Sequence, residues 1–373
     1  IAMGEPFFKI KDQLKKYNVA VYSSNYTLYG DMSYRVMQIL SEFTPEMEIY
    51  SIDEAFLSFQ GMSKTDLTEY SKKIRSQVLQ YTGLPTCVGI GETKVLAKIA
   101  NHIAKKNKVK TGGVFSFLDY DENQRDKILS LIEVADIWGI GRKSAQKLEA
   151  NRIKTALDLK RSNPEYIRKF LTVTGQIIVA ELNGVSCIDL ELDSPDRKQI
   201  VSSRSFGKQV KDFTEVSESI SNHISTAAEK LRAQNLICKN ITVFIQTNPF
   251  KNTQQYHNSA SMDLMSGTSV TPKMISHALR LLLSIYREGY EYKKCGVILN
   301  HLIPKDMHQI DFFGNFDSPD EDKYMKTIDS INRFHGKGTV KFASCGIDQF
   351  WQMLSQMKSP CFTTRWGELV RVS

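Results

Sequence analysis

Two adjacent acids, Asp53 and Glu54, stand inside the stretch EIYSIDEAFLSF at residues 48–59. The apolar residues around them, such as Tyr50, Ile52 and Phe56, predict buried strands on both sides. A buried carboxylate is costly unless it is paired, hydrogen-bonded or bound to a cation. Carboxylate oxygens are ligands that Mg²⁺ prefers, so the pair indicates a metal site at the tip of a hairpin. A polar turn between two strands is the alternative.

A second candidate is a lysine-rich helix in GIGETKVLAKIANHIAKKNKVKTGG, which follows a predicted strand. Helix faces that point to solvent usually mix positive and negative side chains, whereas residues 94–110 hold six lysines and no acid after the single Glu92. The pattern favours contact with phosphates over a simple solvated face. The lysines lie at positions 94, 98, 105, 106, 108 and 110.

A third candidate is the Gly139-Ile140-Gly141 turn, which precedes a helix predicted from about Lys143. Glycines there let backbone amides face outward, and the N-terminus of a helix binds anions. Arg142, Lys143 and Lys147 add positive charge. The pattern is typical of a helix-hairpin-helix, which holds a nucleic-acid backbone without distinguishing bases. A closely packed corner between two helices is the alternative.

Composition limits the class of protein. A chain of 373 residues predicts two to four domains, and a net charge of +8 suits a polyanionic partner. The six cysteines are scattered without a CxxC pair, which predicts reduced thiols in a cytoplasm. No stretch is long and apolar enough to span a bilayer, and no signal-peptide pattern opens the chain, so no membrane partner is expected.

The order of predicted elements gives the fold class, which is α+β. The first part predicts a strand at 19–23, a hairpin around Asp53, a helix over about 65–82 with Ser63 or Thr65 as N-cap, and one mixed sheet with helices on one face. Residues 121–190 predict short helices, and the polar stretch 192–199 predicts a linker.

A βαββαβ order follows the linker and predicts a small self-contained domain. Its first two strands carry Arg204, Lys208, Lys211 and Lys239. After Pro304 the acidic stretch FDSPDEDKY predicts a loop, and a modest terminal unit ends the chain.

These motifs together resemble the Y-family of lesion-bypass DNA polymerases. The matching residues are SIDEAFL at 51–57, VGIGETKVLAKIAN at 88–101 and WGIGRKSAQKL at 138–148. SSRSFG, HGKGTVKFASCG and SPCFTTRW, which begin at 202, 335 and 359, are typical of the UmuC group within that family. The resemblance covers essentially the whole chain.

The resemblance implies a right-hand polymerase with a palm, a helix-hairpin-helix thumb and a βαββαβ little finger. The implied divisions are 1–19 for the end of the fingers, 20–118 for the palm, 119–190 for the thumb, 191–198 for a linker, 199–303 for the little finger, and 304–373 for a clamp-binding peptide with a UmuC-type C-terminal region.

The implied activity is error-prone, translesion DNA synthesis in SOS repair, with two Mg²⁺ ions, primer-template DNA and dNTP. Asp53 and Glu54 would be the metal-binding and catalytic acids, and Lys105 would contact the nucleotide phosphates. The residues expected to contact DNA are Lys94, Lys98, Gly139, Gly141, Arg142, Lys143, Lys147, Arg204 and Lys208.

The resemblance also implies protein partners. The peptide Gln309-Ile310-Asp311-Phe312-Phe313 is similar to the motif that docks on the sliding clamp, with Phe312 where leucine is usual. One polar anchor and two large apolar side chains suit a preformed groove. A UmuD-like dimer and RecA are further expected partners, and the implied location is the bacterial cytoplasm, at the nucleoid.

One family feature is missing from the 373 residues: the strand that carries another metal aspartate and the steric gate. The sequence is therefore expected to begin within the fingers, with that aspartate upstream of Ile1. Asp31 is expected to lead a helix as a cap, outside the metal motif. A truncated, catalytically inactive DNA- and clamp-binding fragment is the alternative function. A nuclease that merely uses a helix-hairpin-helix is disfavoured, because no second acid cluster accompanies the hairpin.

Overall fold

The computed structural model describes residues 1, 4–61, 64–192, 197–307 and 317–369, with only the backbone at 64–66. The predicted N-caps Ser63 and Thr65 therefore lie outside what it describes. The chain forms two compact units: Ile1–Pro195 with Met357–Ser373, and Asp196–Gln356. Helices and strands occur in both, as the α+β prediction requires. Among the described residues, no helix has the length and apolar character needed to cross a membrane.

The first unit is mostly helical. Its helices are α1 (Phe7–Lys16), α2 (Tyr26–Ser41), α3 (Lys64–Thr82), α4 (Lys94–Lys106), α5 (Lys108–Thr111), α6 (Glu122–Leu129), α7 (Arg142–Ala150), α8 (Ala156–Lys160) and α9 (Pro164–Leu182). Its strands are β1 (Met47–Ile49), β2 (Ala55–Leu57), β3 (Val88–Ile90) and β4 (Val114–Ser116).

The strands of this unit differ from the prediction of one mixed sheet. β1 and β2 form an antiparallel pair, whereas β3 and β4 form a separate parallel pair in the described part of the chain. The strand predicted at 19–23 is wrong: its only ladder contact is a single bridge between Ser23 and Lys358. Val19 and Tyr22 are 44% and 67% exposed, so this segment has no apolar face to bury in a sheet.

Helix α4 lies in the core of the first unit. Thr93 caps its N-terminus by accepting from the Leu96 amide at 3.2 Å. Its apolar face is buried and shares one core with α9; the core residues from these two helices are Val95, Leu96, Ile99, Ala100, Ala104, Ile167, Ile178, Val179 and Leu182. Gly89 lets β3 approach closely, since a Cβ there would lie 2.0 Å from the Asn101 amide nitrogen.

Asp31 does not lead a helix, contrary to the prediction. α2 begins five residues earlier at Tyr26, and the cap is Asn25, whose side chain accepts from the Leu28 amide at 3.3 Å. Asp31 lies inside α2 and forms an ion pair with Arg35 at 2.9 Å.

The second unit has the predicted βαββαβ order. Its elements are β5 (Gln199–Val210), α10 (Phe213–Arg232), β6 (Leu236–Thr247), β7 (His257–Thr268), α11 (Thr271–Ile285) and β8 (Tyr292–Pro304). The four strands form one antiparallel sheet in the order β5-β8-β6-β7. The apolar faces of α10 and α11 pack with the sheet in a single core.

The acidic stretch after Pro304 forms a helix, α12 (Pro319–His335), where the sequence predicted a loop. Ser318 accepts from the Glu321 amide at 3.2 Å, and the Glu321 side chain accepts from the Ser318 amide at 2.8 Å. This is a capping box with proline at the first helical turn. The three acids of that turn favour the helix because they lie at the positive end of its dipole.

The residues that follow α12 belong to both units in turn. Trp351 is buried in the core of the second unit, and its carbonyl accepts from the Gly207 amide at 3.1 Å. From Met357 onward the chain belongs to the first unit, where the Asn25 side-chain amide donates to the Ser359 carbonyl at 2.8 Å. The C-terminal region is therefore folded onto other elements of the protein.

Candidate functional site

Asp53 and Glu54 lie in the loop that joins β1 to β2. The Tyr50 and Ser51 amides close this loop by donating to the Glu54 carbonyl at 3.1 and 3.0 Å. The Ser51 hydroxyl donates to Asp53 Oδ1 at 2.7 Å, and the Asp53 side chain is exposed. The hairpin predicted around the acids is present, and its tip presents a carboxylate to solvent.

The predicted burial of the flanking apolar residues is wrong. Tyr50 is 45% exposed and Ile52 is 51% exposed. Each strand of the hairpin has only three residues, and Glu48 is the one strand residue among the six whose side chain is buried. The acids therefore occupy an open surface and not a buried apolar strand.

Two lysines of α4 face Glu54. The Nζ atom of Lys98 lies 2.7 Å from Glu54 Oε1, and the Nζ atom of Lys105 lies 3.9 Å from the same oxygen. The Lys98 side chain is 18% exposed, whereas that of Lys105 is 58% exposed. Lys98 is therefore engaged with the carboxylate, and Lys105 keeps most of its surface for a further anion.

An aromatic cluster supports the hairpin. Tyr50, Phe56 and Trp138 pack edge to face, with ring centroids 5.6 to 5.7 Å apart. The indole Nε1 of Trp138 donates to the Tyr50 hydroxyl at 3.0 Å. Trp138 immediately precedes the Gly139 turn, so the cluster connects the acidic hairpin with the predicted DNA-binding turn. The sequence reasoning did not assign these rings a role.

Lys94 does not have the role predicted for it. Its side chain is 7% exposed, forms an ion pair with Glu48 and donates to the Asp189 carbonyl at 2.6 Å. A lysine enclosed in this way has no surface to offer a DNA phosphate. Two other polar residues of α4 face Asp136 and not the hairpin: His102 lies 3.5 Å from it and Lys106 lies 3.4 Å from it. Burial and the neighbouring Lys106 charge lower the pKa of His102.

The donor set suits a hard divalent cation, because carboxylate oxygens are its preferred ligands. Asp53 is exposed, and Glu54 is held nearby by Lys98. Across the described ranges, no three His, Cys, Asp or Glu side chains converge into a group that could hold a metal ion. The two adjacent acids therefore fit part of a metal site, which needs additional ligands.

The Gly139 turn leads directly into α7, which begins at Arg142, close to the predicted helix start. Gly139 has φ +90°, a region that favours glycine, and Gly141 is the N-cap of α7 without a side-chain cap. Arg142 and Lys143 are exposed in the first turn of α7. Lys147 is exposed too, and its Nζ donates to the Phe170 carbonyl at 3.2 Å.

Of the basic residues noted on the second unit, the two predicted to contact DNA, Arg204 and Lys208, lie on β5, whereas Lys211 follows β5 and Lys239 lies on β6. Arg204 is exposed, and its Nη1 donates to the Ser203 carbonyl at 3.3 Å. Lys208 is 57% exposed and forms an ion pair with Glu215 at 3.0 Å. The clamp-peptide prediction, at 309–313, falls outside the described residues.

Comparison with protein families gives three matches along the chain. The impB/mucB/samB family model matches residues 1–102, the C-terminal domain of the same family matches 197–312, and a domain of unknown function (DUF4113) matches 322–372. The DUF4113 match contains most of α12 and the segment that packs beside Asn25.

Individual relatives match over nearly the full length. Protein UmuC of Salmonella typhimurium is 42% identical, with 100% of this chain and 88% of that protein covered. Protein SamB of Salmonella typhimurium is 40% identical, with 99% and 87% covered. DNA polymerase IV of Clostridium acetobutylicum is 24% identical, with 91% and 82% covered.

A solved structure has the same fold. A Y-family DNA polymerase chimera of Dbh and Dpo4 matches with a TM-score of 0.61 and 22% identity, and the match covers 81% of this chain and 84% of that one. The fold, the full-length relatives and the family models agree. The chain belongs to the impB/mucB/samB family, the UmuC group of error-prone, translesion Y-family DNA polymerases.

Proposed function

We propose that this polymerase adds deoxynucleotides to a primer opposite damaged template bases, with the chemistry at the β1–β2 hairpin. The observation that carries the proposal is the convergence of Asp53, Glu54, Lys98 and Lys105 at one hairpin tip. Acids next to a partly exposed lysine suit a reaction in which metal ions and a triphosphate meet.

In this proposal Asp53 and Glu54 hold divalent cations, and we assign Mg²⁺, with two ions. Bound there, the ions would activate the primer 3′-hydroxyl and neutralise charge on the triphosphate. Two carboxylates alone are too few for two ions. The substrate phosphates and further acidic side chains would supply the other ligands.

The lysines of α4 have separate tasks in the proposal. Lys98 donates to Glu54 Oε1 at 2.7 Å and orients that carboxylate. Lys105, which is 58% exposed, binds the phosphates of the incoming nucleotide. Positioning and charge stabilisation account for most of the catalysis in phosphoryl transfer, so these lysines carry much of the chain's own contribution.

DNA binding is assigned to surfaces outside the hairpin. The backbone amides at the Gly139–Gly141 turn, with Arg142, Lys143 and Lys147, would hold backbone phosphates without reading bases. Arg204 and Lys208 on β5 would add further phosphate contacts. The net charge of +8 favours such binding.

Partners beyond DNA are proposed from family membership. Residues 309–313 would tether the polymerase to the sliding clamp, and a UmuD-like dimer and RecA would act with it at the nucleoid of a bacterial cytoplasm. Replacing Gln309, Phe312 and Phe313 with Ala should abolish capture on immobilised clamp and leave distributive synthesis unchanged. Undiminished capture would contradict the clamp assignment.

The test of function is primer extension by the whole gene product on an undamaged template and on one with an abasic site, with Mg²⁺ in both. Incorporation opposite the abasic site supports the proposal. Tight binding to primer-template without any incorporation on either template would instead favour the inactive DNA- and clamp-binding fragment. The matches to Protein UmuC over 100% of this chain and to DNA polymerase IV over 91% of it disfavour that alternative.

A further inference from the structure

Two carboxylates that no sequence motif singled out are buried at the beginning of α4. Glu48 on β1 is 7% exposed, and Glu181 in the last turn of α9 is 0% exposed. A buried carboxylate persists only if donors surround it. The donors of both acids come from the same two places, the start of α4 and the segment 187–191 that follows α9.

Glu181 joins α9 to α4 and to the segment after α9. Its Oε2 accepts from the Val95 amide at 3.2 Å, in the first turn of α4. Its Oε1 accepts from the Cys187 and Ile188 amides at 2.7 and 3.0 Å. The Glu181 carbonyl also accepts from the hydroxyl of Thr93, the N-cap of α4, at 2.9 Å. A carboxylate at a helix N-terminus is favoured by the helix dipole.

Glu48 joins the acidic hairpin to the same helix. Its Oε2 forms an ion pair with Lys94, the first residue of α4, and accepts from the Glu191 amide at 2.9 Å. Lys94 in turn donates to the Asp189 carbonyl at 2.6 Å. The hairpin, α4 and the segment 187–191 are thus fixed to one another through one buried ion pair.

These contacts of Glu48 and Glu181 set the distance between the β1–β2 hairpin and the lysines of α4. Lys94 and Lys98 lie one helical turn apart on α4; the first holds Glu48 of the hairpin, and the second holds Glu54. A shift of α4 along the hairpin would move Lys105 away from Glu54, from which it lies 3.9 Å. Misplacement of a catalytic group by about 1 Å can cost 10²-fold in rate.

We propose that Glu48 and Glu181 are positioning residues for polymerisation: they hold α4 so that Lys105 meets the incoming nucleotide beside Glu54. The inference rests on the proposed function, because it gives Lys105 the nucleotide phosphates. A purely stabilising role is the competing explanation. A buried ion pair stabilises a fold less than apolar residues of similar volume, so stability alone does not account for the Lys94–Glu48 pair.

The experiment compares Glu48→Gln and Glu181→Gln with the unaltered protein. Glutamine has the shape of glutamate but no charge. At position 48 it removes the charge opposite Lys94. At position 181 it places an NH₂ group against a backbone N–H. Asp126→Asn is the matched control, because Asp126 forms a partly buried ion pair with Lys160 at 2.7 Å, and neither residue belongs to α4 or the hairpin.

Single-turnover incorporation, normalised to DNA-binding-competent protein, gives the first measurement. We expect kcat/KM for dNTP to fall about tenfold or more in both glutamate variants, chiefly through a higher KM, with unchanged DNA affinity. The Asp126→Asn control should match the unaltered protein. Unchanged kinetics in folded Glu48→Gln and Glu181→Gln, or failure of both to fold, would overturn the positioning role.

Hydrogen exchange at the hairpin gives a second measurement that does not depend on activity. The Tyr50 and Ser51 amides, which donate to the Glu54 carbonyl, should exchange at least several times faster in both variants and at the normal rate in Asp126→Asn. Faster exchange in a protein that extends no primer would support the network while contradicting the proposed function. Unchanged exchange would overturn the network itself.

Discussion

The Lys98 Nζ atom lies 2.7 Å from Glu54 Oε1, and this contact distinguishes Lys98 from the other lysines of α4. Lys98 is committed to the carboxylate, whereas Lys105 lies farther from it and is 58% exposed. The predicted run of six phosphate-binding lysines is therefore not uniform: Lys94 is buried, Lys98 contacts an acid, and the other four, Lys105, Lys106, Lys108 and Lys110, are exposed.

Lys105→Gln should raise KM for dNTP about tenfold and leave the affinity for primer-template unchanged, because it removes a charge assigned to the triphosphate. Steady-state incorporation measures this. Lys106→Gln is the control, since Lys106 faces Asp136 at 3.4 Å and not Glu54. Equal effects of the two substitutions would contradict the assignment.

Arg142→Ala and Lys147→Ala should each reduce the slope of log Kd against log salt by about 0.9, since each removes one phosphate contact. Fluorescence anisotropy on several duplex sequences measures the slope. Lys72→Ala is the control, because Lys72 lies on α3 in an exposed pair with Glu69. A loss confined to one sequence would show base recognition instead.

Asp329→Ala should destabilise the second unit by about 3 kcal/mol, because it leaves a buried guanidinium without its carboxylate. Arg232 is 11% exposed and donates to both Asp329 oxygens at 2.7 Å. Hydrogen exchange of the α10 amides in urea measures the loss in this unit, and Asp320→Ala on the same helix should cost under about 1 kcal/mol. Equal stability of the two variants would mean that α12 does not brace this unit.

Acidification should weaken the second unit through His223. Burial, with smaller contributions from the Arg204 and Lys337 charges, lowers the pKa of His223 to about 4. Its pKa is higher when the chain unfolds, so the unfolded state binds the proton first. The contribution of His223 to the free energy of unfolding is therefore complete above about pH 6.5 and decreases by about 3 kcal/mol as the pH falls to about 4.

Hydrogen exchange of the α10 amides at several pH values, corrected for intrinsic rates, measures this loss. His223→Gln should have a flatter dependence on pH than the unaltered protein between about pH 6.5 and 4. The same steep dependence in both proteins would assign the effect to other groups.

The sequence predicted the second unit well because its strands have 12 or 13 residues and its two helices are amphipathic. The prediction failed at α12, although Ser318, Pro319 and Glu321 form a helix-start pattern. An acidic stretch is typical of loops, but acids are also favoured in the first turn of a helix, where Asp320, Glu321 and Asp322 lie. The capping pattern was the better indicator.

Long-range pairs explain the errors at the site. Lys94 is buried because Glu48 lies 46 residues earlier and the Asp189 carbonyl 95 residues later, and no periodicity predicts such partners. Tyr50 and Ile52 have the alternation of a strand but lie at a hairpin tip, where few neighbours cover them. The motif around Asp53 located the acids, and only packing could show their surroundings.

The most direct test of the account is the rate of single-nucleotide addition by Asp53→Asn with Mg²⁺. The substitution keeps the shape of the side chain but removes a metal-ligand charge. We expect a loss of about a thousandfold or more in rate, with primer-template affinity within about twofold of the unaltered protein. Asp31→Asn, which alters an acid paired with Arg35, should retain normal activity. Addition at the normal rate by Asp53→Asn would contradict the assignment of the metal site to this hairpin.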